Sequence, residues 1–252
     1  MKKIINISLL ILTIFLVSTQ SVKAAVEDIY YTNDNGISFT KQEYDYFSAM
    51  YYDGYQKNMT ASDMAKFNGY ELNPDLVESV EVDDSKDYFK NGGFSLMATS
   101  VETTAKILKI SKGTGDFPII TINVIWKGSP KVRSYDLIGA MLAGTSSLGS
   151  PATTLRYTGG GITPSALKEV SNGFGASIKL PSSGTGIIVS QTFSVYKGGR
   201  VYASYQHAKK SLTLNNSQSF TINASGLGGV FFFNNSSIRD KYDAMEGVYV
   251  SV

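Results

Sequence analysis

The side chain in this sequence best suited to acid–base chemistry is His207, the only histidine among 252 residues. It lies in the stretch FSVYKGGRVYASYQHAKK, residues 193 to 210, where two alternating segments flank Gly198-Gly199. Two adjacent glycines in this setting predict a two-residue β-hairpin turn, because both turn positions need positive φ. The register of that hairpin places Ser190 directly opposite His207.

A serine across from a histidine supplies a nucleophile and a base only if two further groups are present. The histidine needs a carboxylate that orients it, and the reaction needs donors where an oxyanion would form. No acid lies at a fixed local spacing from His207, and no G-x-S-x-G motif occurs in the chain. We therefore predict an ordinary cross-strand contact between Ser190 and His207 and no catalytic residue.

The same register predicts a ligand-binding surface on the more polar face of the hairpin. The bulkier apolar residues fall on the opposite face, which we expect to line the core. Tyrosine rings could stack on sugars, and the basic tip could contact an anionic surface; half-buried strand residues and a protected sheet edge are the alternatives. The predicted ligand-binding residues are Ser190, Tyr196, Lys197, Arg200, Tyr205 and His207.

No metal or cofactor site is predicted. One histidine and no cysteine leave too few nitrogen and sulfur ligands for zinc. The segment TNDNGISFTKQE resembles a calcium loop, but it has Tyr31 at the first ligand position and Gln42 at the last, so a turn explains it better. The aspartates of VDDSKD, residues 82 to 87, suit a weak calcium site or a solvated acidic segment. Asp136 lies near Arg133, which predicts a structural ion pair.

The first 24 residues predict a secretory signal peptide. Lys2 and Lys3 precede an apolar run from Ile4 to Val17, and Val22-Lys23-Ala24 suits cleavage after Ala24. The run has 14 residues, whereas about 20 are needed to cross a bilayer as a helix. We expect a secreted, extracellular protein without a transmembrane segment in its mature chain. The lack of cysteine in an exported protein favours a bacterial source.

Charge divides the chain into two unlike parts. Residues 25 to 90 contain 14 acidic and five basic residues, a net charge of −9, and residues 91 to 252 carry a net charge of +8. The two parts either dock on each other or leave a basic β surface for an anionic partner. No specific nucleic-acid motif is present.

The acidic part predicts two helices between residues 41 and 68. Thr40 with Glu43, and Thr60 with Asp63, have the spacing of helix-capping boxes. The following acidic segment, residues 71 to 92, suits a linker or a short exposed strand.

Beyond residue 92 the pattern changes to period two, as in Ile120 to Trp126. About ten short alternating runs, separated by turn residues, predict an antiparallel β-sandwich or barrel. Residues 163 to 173 could instead form a short helix. The predicted organisation is a signal peptide (1–24), an acidic helical hairpin and linker (25–92) and a basic antiparallel β domain (93–252).

These features predict an exported, non-enzymatic binding protein that contacts a cell-surface polymer, a membrane or a host ligand. The partner is expected to be an anionic or glycan surface. A membrane-active or pore-forming toxin is the first alternative. The segment from residue 147 to 165 is long, rich in small residues and weakly patterned, so it could refold on a membrane. An extracellular hydrolase with an unrecognised site is the second.

Overall fold

A computed structural model of the chain describes residues 28–84 and 104–252, except 163, 165, 171, 223–229 and 246. The predicted signal peptide, and Asp87 of the acidic segment, lie outside the described residues. Within the described ranges, no helix has the length and apolar character needed to span a membrane.

Residues 28 to 77, which we call the helical head, contain both predicted helix starts. Helix α1 spans Lys41–Met50 and α2 spans Ala61–Ala65, with 3-10 turns at Tyr55–Asn58 and Pro74–Leu76. Both predicted capping boxes are confirmed, since Thr40 and Thr60 each exchange hydrogen bonds with the residue three positions later. The hairpin arrangement of these two helices stays a prediction. Two further short helices lie near the C-terminus, α3 at Leu214–Ser217 and α4 at Ser236–Arg239.

The rest of the described chain is mostly β-structure, as predicted. The strands in chain order are β1 Tyr31–Thr32, β2 Ser38–Phe39, β3 Glu78–Asp83, β4 Lys106–Lys112, β5 Ile119–Trp126, β6 Tyr135–Ala143, β7 Ala152–Tyr157, β8 Gly160–Ile162, β9 Ala166–Val170, β10 Gly173–Lys179, β11 Ile188–Ser194, β12 Arg200–Ala208, β13 Phe220–Ile222, β14 Phe231–Phe233, β15 Tyr242–Ala244 and β16 Val248–Ser251.

Two antiparallel sheets pack as a sandwich. Sheet I has the order β3-β4-β5-β11-β7-β8. Sheet II has the order β9-β10-β6-β12, and β12 pairs along its other edge with both β15 and β16. The predicted fold class, an antiparallel β-sandwich, is confirmed.

The main core lies between the two sheets. Alternate residues of β5 and β11, such as Ile122, Val124 and Val189, meet residues of sheet II such as Ile138 and Val201. All five side chains are buried. Burying such aliphatic side chains contributes about 1.5–3 kcal/mol each relative to exposure.

A second apolar cluster covers the outer face of sheet II. The β13–β14 pair places Phe220 and Phe231 directly over Gly175 of β10. A Cβ atom at Gly175 would lie 2.6 Å from Phe231 and 2.7 Å from Phe220, so the two rings need a glycine there.

The helical head covers the outer face of sheet I. Its aromatic cluster, which includes Phe47 and Tyr51, packs against Ile119 of β5. The Tyr51 hydroxyl lies 2.9 Å from Thr192 Oγ1, and the Thr121 hydroxyl donates to the carbonyl of Met50. The acidic part of the chain therefore docks on the basic part.

The predicted hairpin at Gly198-Gly199 is wrong. Both glycines have positive φ, 102° and 87°, but the strands that they connect belong to different sheets. A Cβ atom at Gly199 would lie 2.1 Å from the carbonyl oxygen of Ala143, so close backbone approach also requires glycine at this position.

Two other local predictions have clear outcomes. The short helix suggested as a possibility for residues 163 to 173 does not form, since Ala166–Val170 is strand β9, which pairs with β10 and lies at the edge of sheet II. Of the two alternatives for the acidic segment, a linker or a short exposed strand, its described part contains the strand, Glu78–Asp83. This strand aligns Glu78 with Lys112 and Glu81 with Lys109, so opposite charges face each other across β3 and β4. The proposed domain boundary at residue 92 stays a prediction.

Candidate functional site

Three of the six predicted ligand-binding residues are buried and do not form a surface. His207 and Tyr205 are 0% exposed, and Ser190 donates a hydrogen bond to Asn123 at 2.8 Å within sheet I. Ser190 and His207 lie in different sheets, so the predicted contact between them is wrong. Tyr205 and His207 are buried because β12 turns Val201, Ala203 and Tyr205 towards the main core, although the sequence analysis assigned this face to the surface.

His207 belongs to a buried polar network centred on Asp136. Its Nδ1 atom lies 2.9 and 3.0 Å from the two carboxylate oxygens. The hydroxyl of Tyr205 and the backbone N–H of Ala208 donate to the same carboxylate. Trp126 donates from Nε1 to the Tyr205 hydroxyl at 3.2 Å, and its ring contacts the His207 ring at a centroid distance of 4.7 Å.

This network does include the carboxylate that a catalytic histidine would need, which the sequence analysis did not find. Asp136 was expected to pair with Arg133, and that prediction is wrong. Arg133 instead donates to the carbonyls of Pro181 and Gly184, both at 2.7 Å. Because Asp136 and His207 are both fully buried, a substrate has no access to them, and the network stabilises the end of sheet II.

The other three predicted residues lie on the surface at the connection between β11 and β12. Tyr196 is 48% exposed and contacts Phe117 edge to face at 5.5 Å. Lys197 forms an exposed ion pair with Asp116 at 3.1 Å, and the Arg200 guanidinium lies 5.2 Å from the ring centre of Tyr249. A ligand-binding role for Tyr196, Lys197 and Arg200 stays a prediction.

The structure contains a different candidate site, an open cleft of about 910 Å³ between the helical head and sheet I, which we call the head cleft. Two walls form it. One wall comes from the head, and the other comes from β7, the turn after it and the start of β11. The polar, charged and aromatic lining residues are Asn35, Tyr52, Asn58, Thr60, Ser62, Asp63, Lys66, Thr154, Arg156, Tyr157 and Thr158.

Local sequence explains how Asp63 is placed in the cleft. As the third residue of α2, Asp63 completes the capping box and accepts hydrogen bonds from the backbone and hydroxyl of Thr60. Strand β7 pairs with β11 in sheet I and brings Arg156 to the same point. Arg156 Nη2 lies 2.6 Å from Asp63 Oδ2, and Lys66 Nζ lies 2.9 Å from Asp63 Oδ1.

The electrostatics keep Asp63 ionised. Burial raises its pKa, but the hydrogen bond from Thr60 and the charges of Lys66 and Arg156 outweigh burial and lower the pKa to about 2. The Arg156 guanidinium also lies 4.8 Å from the ring centre of Tyr55. Lys66 and Arg156 carry two positive charges and Asp63 carries one negative charge, so this cluster has a net charge of +1.

Uncharged polar groups supply most of the remaining lining. Asn35 and Asn58 contribute amides, and Thr60, Ser62 and Thr158 contribute hydroxyls. Tyr52 and Tyr157 are half-buried, so part of each ring is accessible. Burial raises the pKa of Tyr52 to about 12, so its hydroxyl stays protonated at neutral pH and can donate a hydrogen bond.

Within the described ranges, no group of three or more His, Asp or Glu side chains could hold a metal ion. Asp83 and Asp84 of the suggested calcium site pair with Lys127 and Lys106 at 2.6 and 2.8 Å. The segment that resembles a calcium loop in sequence forms a turn at Asn33, as predicted. The Asn33 side chain accepts hydrogen bonds from the backbone N–H groups of Asn35 and Ile37.

Comparisons with known proteins place the chain in no family. No protein-family model matches it, and no curated protein is significantly similar to it. One solved structure with partial similarity is the C-terminal domain of the AgI/II polypeptide BspA of Streptococcus agalactiae. The alignment has 10% identity and a TM-score of 0.28 and covers 71% of this chain and 75% of that one. This similarity is too low to support any conclusion about function.

Proposed function

We propose that this protein is an exported, non-enzymatic binding protein that holds a glycan of a cell-surface polymer in the head cleft. The observation that supports the proposal is the lining of the cleft, in which amides, hydroxyls and tyrosine rings surround a paired charge cluster. A saccharide presents many hydroxyl groups and apolar ring faces, and this lining complements both. The proposed glycan binding rests on the chemistry of this cleft, and the proposed export rests on the predicted signal peptide.

The charges in the cleft narrow the class of ligand. Asp63 is paired with Lys66 and Arg156, so among the described lining residues no free carboxylate remains to attract a basic ligand. The positive excess favours a neutral or acidic sugar over an amino sugar with a free ammonium group. Tyr52, on the head wall, supplies a ring that can stack on a sugar face.

The same charges argue against glycoside hydrolysis in this cleft. Hydrolysis generally needs two carboxyl groups flanking the scissile bond, one of them protonated at the working pH. Asp63 is the one carboxylate that lines the described part of the cleft, and its pKa of about 2 keeps it ionised. Binding without turnover is therefore the function that the cleft supports best.

The test compares two tyrosine variants, Tyr52→Ala in the cleft and Tyr196→Ala at the exposed β11–β12 connection. Binding of both variants to purified cell-wall polysaccharides and a glycan array is measured by titration. We expect Tyr52→Ala to weaken binding about tenfold or more, and Tyr196→Ala to leave it unchanged, because Tyr52 lines the cleft and Tyr196 does not. Loss of binding in Tyr196→Ala alone would indicate that the ligand binds at the β11–β12 connection and would overturn the cleft proposal.

Export is tested separately. The N-terminal sequence of the protein recovered from culture medium should begin at Ala25. Retention of the first 24 residues, or recovery only from the cell interior, would contradict export.

A further inference from the structure

One end of sheet II carries a row of basic residues that the head cleft does not use. Strand β12 ends at Ala208, β15 begins at Tyr242, and these two strands pair. Directly beyond them the backbone N–H of Lys209 donates to the carbonyl of Lys241 at 2.8 Å. Lys209 and Lys241 are therefore neighbours on the same rim, and Lys210 follows.

The row continues across the sheet to β10. Strand β6 begins at Tyr135, opposite Lys179 at the end of β10. The loop before β6 links the two sides, since Ser134 accepts hydrogen bonds from the backbone of Leu180 and of Leu212. Neighbouring strands are about 4.8 Å apart, so the strand ends from β15 to β10 extend over roughly 15 Å. We call Lys179, Lys209, Lys210, Arg239 and Lys241 the basic rim.

The charge of the rim is largely uncompensated by nearby carboxylates. Lys209, Lys210 and Lys241 have no ion-pair partner among the described residues. Asp240 pairs with Arg239 at 3.2 Å, and Asp136 is fully buried below the rim, where it accepts from His207. Asp243, two residues after Lys241, is the strand partner of His207 and so lies further into the sheet than the rim.

Several other basic residues of the β domain, unlike the three rim lysines, have carboxylate partners. Lys106 and Lys127 pair with Asp84 and Asp83, and Lys112 pairs with Glu78. The acidic part of the chain thus neutralises the cations near β3, whereas the basic rim lies on the other sheet. Lys179, Lys210 and Arg239 are exposed, and Lys209 and Lys241 are partly exposed.

We propose that the basic rim binds a linear polymer of phosphate groups, at a site separate from the head cleft. Lysine ammonium groups act as compact point charges, and four of the five rim residues are lysines, so the rim suits repeated phosphates better than one tightly cradled anion. A row of roughly 15 Å on an open surface also requires a ligand with several charges to occupy it.

The position of the exposed aromatic pair argues against a membrane as the partner. Phe117 and Tyr196 lie near the start of β5, whereas Trp126 at its other end contacts His207 beside the rim. Strand β5 has eight residues, so its two ends lie seven steps of about 3.3 Å apart, roughly 23 Å. This aromatic pair therefore lies at the end of the sandwich opposite the rim and adds no apolar anchor to it.

The experiment measures binding of fluorescently labelled inorganic polyphosphate by anisotropy at low and moderate salt. The rim variant Lys209→Ala/Lys210→Ala/Lys241→Ala is compared with the control Lys41→Ala/Lys57→Ala/Lys197→Ala, which removes the same charge from exposed positions elsewhere. We expect the rim variant to weaken binding more than about tenfold and to reduce the salt dependence by roughly two ions. The control should change affinity less than about twofold.

Several results would overturn the proposal. These are equal losses in the two triple variants, no binding of the wild-type protein at low salt, or binding to phosphatidylglycerol vesicles without binding to polyphosphate. If the rim variant does not fold, the single variant Lys210→Glu at an exposed position serves instead, with Lys197→Glu as its control. Tyr52→Ala should bind polyphosphate normally, so failure of the glycan proposal and failure of this one are distinguishable.

Discussion

Replacing Asp136 by asparagine should destabilise the whole sandwich, although the change is nearly isosteric. Three donors converge on this buried carboxylate, from Tyr205, from His207 and from the backbone of Ala208. An asparagine has one acceptor oxygen and would turn its NH₂ group towards at least one of these donors.

The expected loss in the free energy of unfolding depends on how many buried donors lose their acceptor. Each hydrogen bond to a buried carboxylate contributes about 1.5–3 kcal/mol, and asparagine can replace only some of the three that Asp136 accepts. A buried donor left unsatisfied costs about 1–3 kcal/mol by itself. We therefore expect the free energy of unfolding to fall by about 3–5 kcal/mol, which for a chain of this size lowers Tm by about 10 °C.

The fluorescence of Trp126 can report the unfolding of this region directly. Trp126 is the only tryptophan of the chain and donates to Tyr205, which in turn donates to Asp136. Urea unfolding followed by tryptophan fluorescence gives the free energy of unfolding for the wild-type protein and Asp136→Asn. The matched control is Asp240→Asn, whose exposed ion pair with Arg239 should contribute less than about 1 kcal/mol.

A double-mutant cycle adds a second criterion. The variants Asp136→Asn and His207→Gln should be non-additive by at least about 1 kcal/mol, because they remove opposite ends of one hydrogen-bonded pair. If Asp136→Asn stays within about 1 kcal/mol of the wild-type protein, or if the two effects simply add, the network is not the stabilising element inferred above.

Two further predictions concern the head and the second apolar cluster. Because the pKa of Asp63 is lower in the folded protein, its contribution is complete above about pH 4 and is lost as the pH falls towards 2. The stability difference between the wild-type protein and Asp63→Asn, about 1–2 kcal/mol after allowance for solvent screening, should therefore shrink across this range in urea titrations; a constant difference would contradict the assignment. Gly175→Ala should cost about 1–3 kcal/mol, since its Cβ would lie 2.6 Å from Phe231, whereas Gly128→Ala, which meets only a Thr104 methyl group, should be nearly neutral in the same assay.

Local patterns in the sequence were sufficient for the elements of the fold. The capping boxes at Thr40 and Thr60 and the alternating run of β5 depend on neighbours a few positions apart, and all three are confirmed. The sequence does not predict edge strand β9, because the residues ALKEV at Ala166–Val170 do not alternate between apolar and polar and the strand is held by its pairing with β10.

The candidate site depended on contacts that no local pattern encodes. Arg156 reaches Asp63 across 93 positions of the chain, and Asp136 reaches His207 across 71. The hairpin error had the same origin, since Gly198-Gly199 satisfied the local requirement for positive φ but gave no information about which sheet received each strand. The capping role of Asp63 could be predicted, whereas its second role beside Arg156 could not.

The passage of the chain between the sheets, from Ser194 to Arg200, also bears on how the domain folds. Thr192 pairs with Thr121 in sheet I, and Tyr202 pairs with Met141 in sheet II, separations of 71 and 61 positions. Consecutive strands therefore do not form a local nucleus here, and each must find a partner far away in the chain. Such high contact order slows folding to the millisecond-to-second range, which stopped-flow fluorescence of Trp126 can record. The chain crosses from sheet I to sheet II between these two strands, so the backbone links the folding of one sheet to that of the other.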